Sequence, residues 1–300
     1  MKKKTYLIAL MAMALTLGSC SDNENGIGDE TSKYITVSTS IGNMTRVATD
    51  ANGGQTFEEG DEISVYAWIG APTVAPETRE RVVNNAINKL TNGSWVSTPQ
   101  MLWKNNRDKH YFIGVYPTAA ISDLSAGEYT FDANKQTESD LLVAVNPDGL
   151  SYSADAQQTV PLTFTHVMAK LAVNLTYKNQ WGGIPTVEKV VVGNAAKEAT
   201  INYLTKVVTP STTAKEDFSL PEITENTKYV SVIIPQEEVT QLTIVIGGKN
   251  FVYDNGTPFK LESGKITTVN LEVGRDEIKL GDVKITNWED GSTFSGEALN

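Results

Sequence analysis

Cysteine is nearly missing from these 300 residues: Cys20 stands alone, which excludes any disulfide within the chain. Histidine is almost as scarce. His110 and His166 are the two present, and neither stands at a metal-ligand spacing with a second Cys or His. There is no Gly-x-Ser-x-Gly elbow, no phosphate-binding loop and no dinucleotide fingerprint. Asp254-Asn255-Gly256 has the start of a calcium loop without its later acidic ligand, and reads as a hairpin turn. Acids are plentiful, but nothing sets one pair of them apart as a glycosidase site. An enzyme is therefore not expected, and no cofactor or metal. Basic charge is also short, with 25 Lys and Arg against 36 Asp and Glu. An acidic surface repels nucleic acid, so no nucleic-acid partner is expected.

The chain's start carries the most information. Lys2, Lys3 and Lys4 precede an apolar run from Tyr6 to Leu17, followed by Gly18, Ser19 and Cys20. The run is too short to span a bilayer, which takes ~20 residues. A basic region, an apolar region and small residues at a cleavage point make a secretory signal. Its end, Leu17-Gly18-Ser19-Cys20, resembles a bacterial lipobox, in which cleavage precedes the cysteine and its thiol takes a lipid. Cys20 is accordingly the expected lipidation site, anchoring the protein to the outer membrane. Removing residues 1–19 takes three lysines from the 25 basic residues, leaving 22 against 36 acids, a net of −14. The polar, acidic stretch after Cys20 cannot bury a core and reads as a flexible tether over 20–33.

Beyond residue 33 the hydrophobic pattern has period two, as strands with one buried face require. In Val167 to Tyr177, the odd-numbered Val167, Ala169, Leu171, Val173, Leu175 and Tyr177 fall on one face. Shorter runs of the same kind are Ile63–Trp68, Tyr111–Tyr116, Leu141–Val145, Val187–Val192, Tyr229–Ile234, Leu242–Ile246 and Ile266–Val273. Turn signals such as Asn52-Gly53, Asn92-Gly93, Asp148-Gly149 and Ser263-Gly264 separate them. In Glu77 to Leu90 a helical spacing competes with a hairpin pairing Asn85–Leu90 with Ser94–Val96 across Asn92-Gly93; the hairpin is preferred. The fold class is all-β, built of β-sandwiches. The polar stretch Ala154–Gln158 is the expected domain boundary, giving a signal at 1–19, a tether at 20–33 and domains at 34–157 and 158–300. The tryptophans Trp68, Trp95, Trp103, Trp181 and Trp288 lie in or beside strands, where core or edge packing is favoured over sugar stacking.

Several runs, in order, resemble the fimbrillin family of pilin-like surface lipoproteins. They are Thr45-Arg46-Val47; Phe57-Glu58-Glu59-Gly60-Asp61-Glu62-Ile63-Ser64-Val65-Tyr66; Tyr111-Phe112-Ile113-Gly114-Val115-Tyr116-Pro117; and Asp140-Leu141-Leu142-Val143-Ala144. Leu162 to Leu171, Ile234-Pro235-Gln236, Leu261-Glu262-Ser263-Gly264-Lys265 and Ile285-Thr286-Asn287-Trp288 follow. The resemblance implies two tandem transthyretin-like sandwich domains at the cell surface, in a pilus. It also implies that a trypsin-like protease cuts beyond the first strand, freeing a groove for another pilin subunit's strand by β-strand addition. The leading strand would be Tyr34–Ile41, with Ile35, Val37, Thr39 and Ile41 inward, and the cut would fall at Arg46-Val47. After Trp288 the tail has two glycines and little alternation, a poor donor strand. If Ile278–Trp288 were the donor, its apolar face shifts across Gly281-Asp282, which points to a bulge. A tip, anchor or non-polymerising role is thus expected alongside a stalk role. The alternative is a non-polymerising surface lipoprotein that binds glycan or a host ligand through coplanar exposed aromatics.

Overall fold

A computed structural model describes residues 33–42, 56–136, 138–153, 159–239, 241–253 and 258–288. The expected sites Cys20, Arg46 and Val47, the calcium-like fragment and the boundary stretch Ala154–Gln158 lie outside them. The first strands are β1 (Thr36–Ile41), β2 (Glu62–Ile69), β3 (Arg81–Thr91), β4 (Ser94–Thr98), β5 (His110–Tyr116), β6 (Gly127–Thr130), β7 (Leu142–Leu150) and β8 (Thr159–His166). Then come β9 (Ala169–Tyr177), β10 (Val187–Ala196), β11 (Glu198–Asn202), β12 (Val207–Pro210), β13 (Lys215–Ser219), β14 (Glu222–Thr224) and β15 (Lys228–Ile233). Last are β16 (Gln236–Val239), β17 (Leu242–Ile246), β18 (Lys249–Tyr253), β19 (Phe259–Leu261), β20 (Lys265–Val273) and β21 (Ile278–Asn287). The protein is all-β, and each of the eight alternating runs read from the sequence forms or overlaps a strand. The Glu77–Leu90 segment resolves into a short 3-10 turn at Thr78–Glu80 and the β3–β4 hairpin. Asn92 and Gly93 turn it at φ 51° and 72°, the left-handed pair a two-residue hairpin needs.

Seven strands make the first sheet, in the order β1-β8-β7-β5-β2-β3-β4. Five more make a sheet β14-β15-β9-β20-β21, faced by β13-β10-β17-β18. The expected boundary at 157/158 does not divide these sheets. β8 lies beyond it, yet Val160, Leu162 and Phe164 supply the apolar face of the first sheet. β6 lies before it, yet pairs with β11 in a small sheet β12-β11-β6. Phe131 donates to the Lys197 carbonyl and Tyr203 to that of Leu124, extending the link. Gln136 reaches β15, its Nε2 on Ser231 Oγ and its Oε1 accepting from the Val232 N–H.

The first sheet is buried on both faces, which explains why β2 is buried from Ile63 to Trp68 rather than alternating. Ile63, Val65 and Ala67 join a cluster with Val37, Ile41, Phe112, Leu142, Ala144, Leu162 and Phe164. Tyr66 and Trp68 face the other way, into a larger cluster with Ile113, Val115, Val143 and the cores of the later sheets. In the first cluster Gly114 gives Phe164 its room: a Cβ there would come 2.6 Å from the Phe164 ring. Gly114→Ala should therefore cost about 1–3 kcal/mol by overpacking, read as a lower denaturant midpoint at unchanged slope.

Candidate functional site

β1 is an edge strand and, among the described strands, β8 alone pairs with it. The pairing is parallel, with Thr36 opposite Thr159 and Ile41 opposite Phe164. Its odd positions turn inward as the alternation requires: Ile35, Val37 and Ile41 are buried and Thr39 is half-buried. Its even positions face water, where Thr36 and Ser40 hydroxyls meet those of Thr159 and Thr163 at 3.3 and 3.2 Å. Burying each of the three apolar side chains is worth about 1.5–3 kcal/mol. Their sum is comparable to the ~5–15 kcal/mol that holds a whole domain together. Taking β1 away would strip the Leu162–Phe164 face of its cover.

Other elements close on β1. Before it, the Ile35 N–H donates to Met101 and the Trp103 N–H to Lys33, so the 101–103 segment clamps the strand's start. Beside it lies β4, the opposite end of the same sheet, whose Trp95 donates from Nε1 to Thr39 Oγ1 at 3.0 Å. A groove of about 680 Å³ runs along this seam, lined by β1, Phe57, Leu90 and Trp95. Phe57 stands in it edge-on to Trp95, Tyr116 and Phe164, with ring centroids 5.1–5.4 Å apart.

The run from Phe57 to Asp61 is the turn that places Phe57. Asp61 accepts from the Glu58 N–H at 2.7 Å, and Gly60 sits at φ +98°, where a side chain would be strained. The same Asp61 takes a 3.4 Å hydrogen bond from Tyr116 Oη. Burial, and then that carboxylate, push the Tyr116 phenol upward, so it stays a donor.

At the far end, β21 pairs with β20 and carries the bulge expected at Gly281-Asp282. Val283 faces Val269 and Leu280 faces Leu271, so three steps on β21 match two on β20. The bulge keeps Ile278, Leu280, Val283 and Ile285 on one side, though Val283 and Ile285 are each 37% exposed. Trp288 ends the strand buried, stacked on His166 at 3.9 Å with Lys170 over its ring. His166 in turn meets Asp140 at 2.8 Å. Three residues from widely separated runs, Asp140, His166 and Trp288, thus converge. Among the described residues no three of His, Cys, Asp and Glu gather as a metal site. The five tryptophans are packed: Trp68, Trp103 and Trp288 are buried, and the half-buried Trp95 and Trp181 donate to Thr39 and to the Val273 carbonyl.

A profile of fimbrillin-like proteins matches residues 45–288, most of the chain described above. The chain belongs to the fimbrillin-like family. Among solved structures, this fimbrillin-like fold is similar to a candidate cell adhesion protein from Bacteroides uniformis. The two are 18% identical with a TM-score of 0.64, over 85% of this chain and 99% of that one. A candidate cell adhesion protein from Bacteroides ovatus gives 17% identity and 0.65, over 85% and 98%. A fimbrial protein from Bacteroides vulgatus gives 13% and 0.52, over 85% and 99%. At these identities the likeness is one of fold. No curated protein matches the sequence.

A buried histidine stands against the clamp before β1. His110 is buried against Trp103, its Nε2 accepting from the Lys104 N–H while Nδ1 meets the Asp108 carbonyl, so the neutral ring fits. Burial pushes its pKa below the usual 6.5. The unfolded chain then takes up the proton first, so His110 contributes fully above about pH 6.5 and progressively less as pH falls through that value toward its own depressed one. The unfolding midpoint should be lower at pH 5.5 than at pH 7.5. His110→Gln, though less stable at pH 7.5, should lose less between the two.

Proposed function

We propose that this protein is a structural or adhesive subunit of a cell-surface pilus, exported as a lipoprotein through Cys20 and assembled by strand exchange. β1 is the strand exchanged. A trypsin-like protease cuts at Arg46-Val47, in the segment between β1 and the Phe57 turn. β1 then leaves, and an extended segment of another subunit takes its place beside β8, with backbone hydrogen bonds for adhesion and alternating side chains for register. The observation that carries this reading is that β1 is an edge strand whose one strand partner, among the described strands, is β8, and that it covers an apolar face that must be covered again. Membership of the fimbrillin-like family, and neighbours named for fimbriae and cell adhesion, support the same reading. The packing of the five tryptophans favours this reading over the glycan-binding alternative. Catalysis plays no part.

β21 is the segment of this chain suited to act as donor. It is an edge strand, largely exposed, with four apolar side chains on one side.

Subunits taken from native surface assemblies should begin at Val47, by N-terminal sequencing and intact mass. Arg46→Ala should leave chains that begin at acylated Cys20 and run as monomers. Assembled wild-type chains still beginning at Cys20 would contradict the cleavage step.

A further inference from the structure

The segment from Ile35 through β1 has four inward positions, and the third is unlike the others. Ile35, Val37 and Ile41 are apolar and at most 7% exposed, whereas Thr39 presents a hydroxyl. That hydroxyl accepts the indole N–H of Trp95 at 3.0 Å, across the seam between the two ends of the first sheet. The indole is held in place by Phe57, edge-on at 5.3 Å. We propose that Trp95 is a specificity-determining residue of the groove: it selects incoming strands that carry a hydrogen-bond acceptor at the third inward position. This rests on the strand-exchange reading above and names the chemistry of the partner.

The selection follows from the cost of an unmade bond. A strand with Val, Ile or Leu in place of Thr39 would set an apolar side chain against the half-buried Trp95 N–H and displace the partner that it has there, and a desolvated donor without a partner is penalised. Thr, Ser, Asn or Gln at that place would satisfy it, and the groove beside Thr39 leaves room for the longer ones. The even positions do not discriminate in this way, because Thr36 and Ser40 face water. The fitting partner is therefore an extended segment, parallel to β8, with apolar residues at its first, third and seventh places and a neutral acceptor at its fifth. β21 does not supply the whole pattern. Starting at Ile278 it gives Ile278, Leu280 and Asp282 but then Lys284; starting at Val283 it gives Val283, Ile285 and Asn287 but then Glu289. The groove is matched to an extended segment other than β21.

The test uses the full mature chain with a specific protease sequence placed after Arg46, cut so that β1 remains seated without a covalent link. Labelled peptides then compete for its place: residues 33–42 as they stand, the same with Thr39→Val, and the same with Thr39→Asn. The Thr39 and Thr39→Asn peptides should bind about tenfold more tightly than Thr39→Val. In Trp95→Phe, which keeps a ring but has no N–H, that preference should fall to about one. Equal binding of all three peptides by the wild-type groove would overturn this inference and leave strand exchange standing. Failure of every peptide to displace β1 would overturn strand exchange and this inference with it. The wild-type comparison decides the matter even if Trp95→Phe does not fold.

Discussion

The parallel pairing of β1 with β8 is the constraint on which the rest of the structure turns. The row of backbone hydrogen bonds to β8 and three inward apolar side chains hold the strand, with the 101–103 clamp and the Trp95–Thr39 bond beside them. What it covers, the Leu162–Phe164 face, runs through Phe164 to Gly114 and Phe57 and so to the centre of the first sheet. A cover of this kind is strongly needed by the core and paired, among the described strands, with a single neighbour. Those are the two properties that let an edge strand be replaced by another of the same pattern rather than simply lost.

The molecule behind that edge is densely packed. The first sheet is packed on both faces, and its second face shares one apolar cluster with the later sheets. β6, Gln136 and the Phe131–Phe218 ring contact carry the connection across. β1 and β21, the first and last described strands, are both edge strands with an exposed side, while strands such as β2, β5, β9 and β20 lie inside their sheets. The closing contacts after β21 are the Trp288 N–H donating to the Gly264 carbonyl and the Trp288 ring stacked on His166.

Much of this was legible in the residues. The apolar runs of the sequence located β2, β5, β7, β9, β10, β15, β17 and β20, and the family resemblance placed β1. The β3–β4 hairpin was legible from Asn92-Gly93, and the β21 bulge from the shift between Leu280 and Val283. The short strands β6, β11, β12 and β14 were not: three to five residues, polar at alternate places, carry too little pattern. Nor was the place of β8, since Val160, Leu162 and Phe164 alternate identically whichever sheet they join. The Trp95–Thr39 bond spans 56 residues and depends on the sheet's two ends meeting, which no local pattern encodes. Tryptophan packing was legible in kind, but the partner of each ring was not.

The central claim is that β1 must leave its place beside β8 for subunits to join. It can be tested by preventing departure. Thr36 and Thr159 are register partners with side-chain oxygens 3.3 Å apart, so Thr36→Cys with Thr159→Cys can be oxidised to tie the strands together. The locked protein should reach the surface and be cut beyond β1, yet remain monomeric, and reduction should restore assembly. Polymers formed at the wild-type rate by the oxidised double variant would contradict the account.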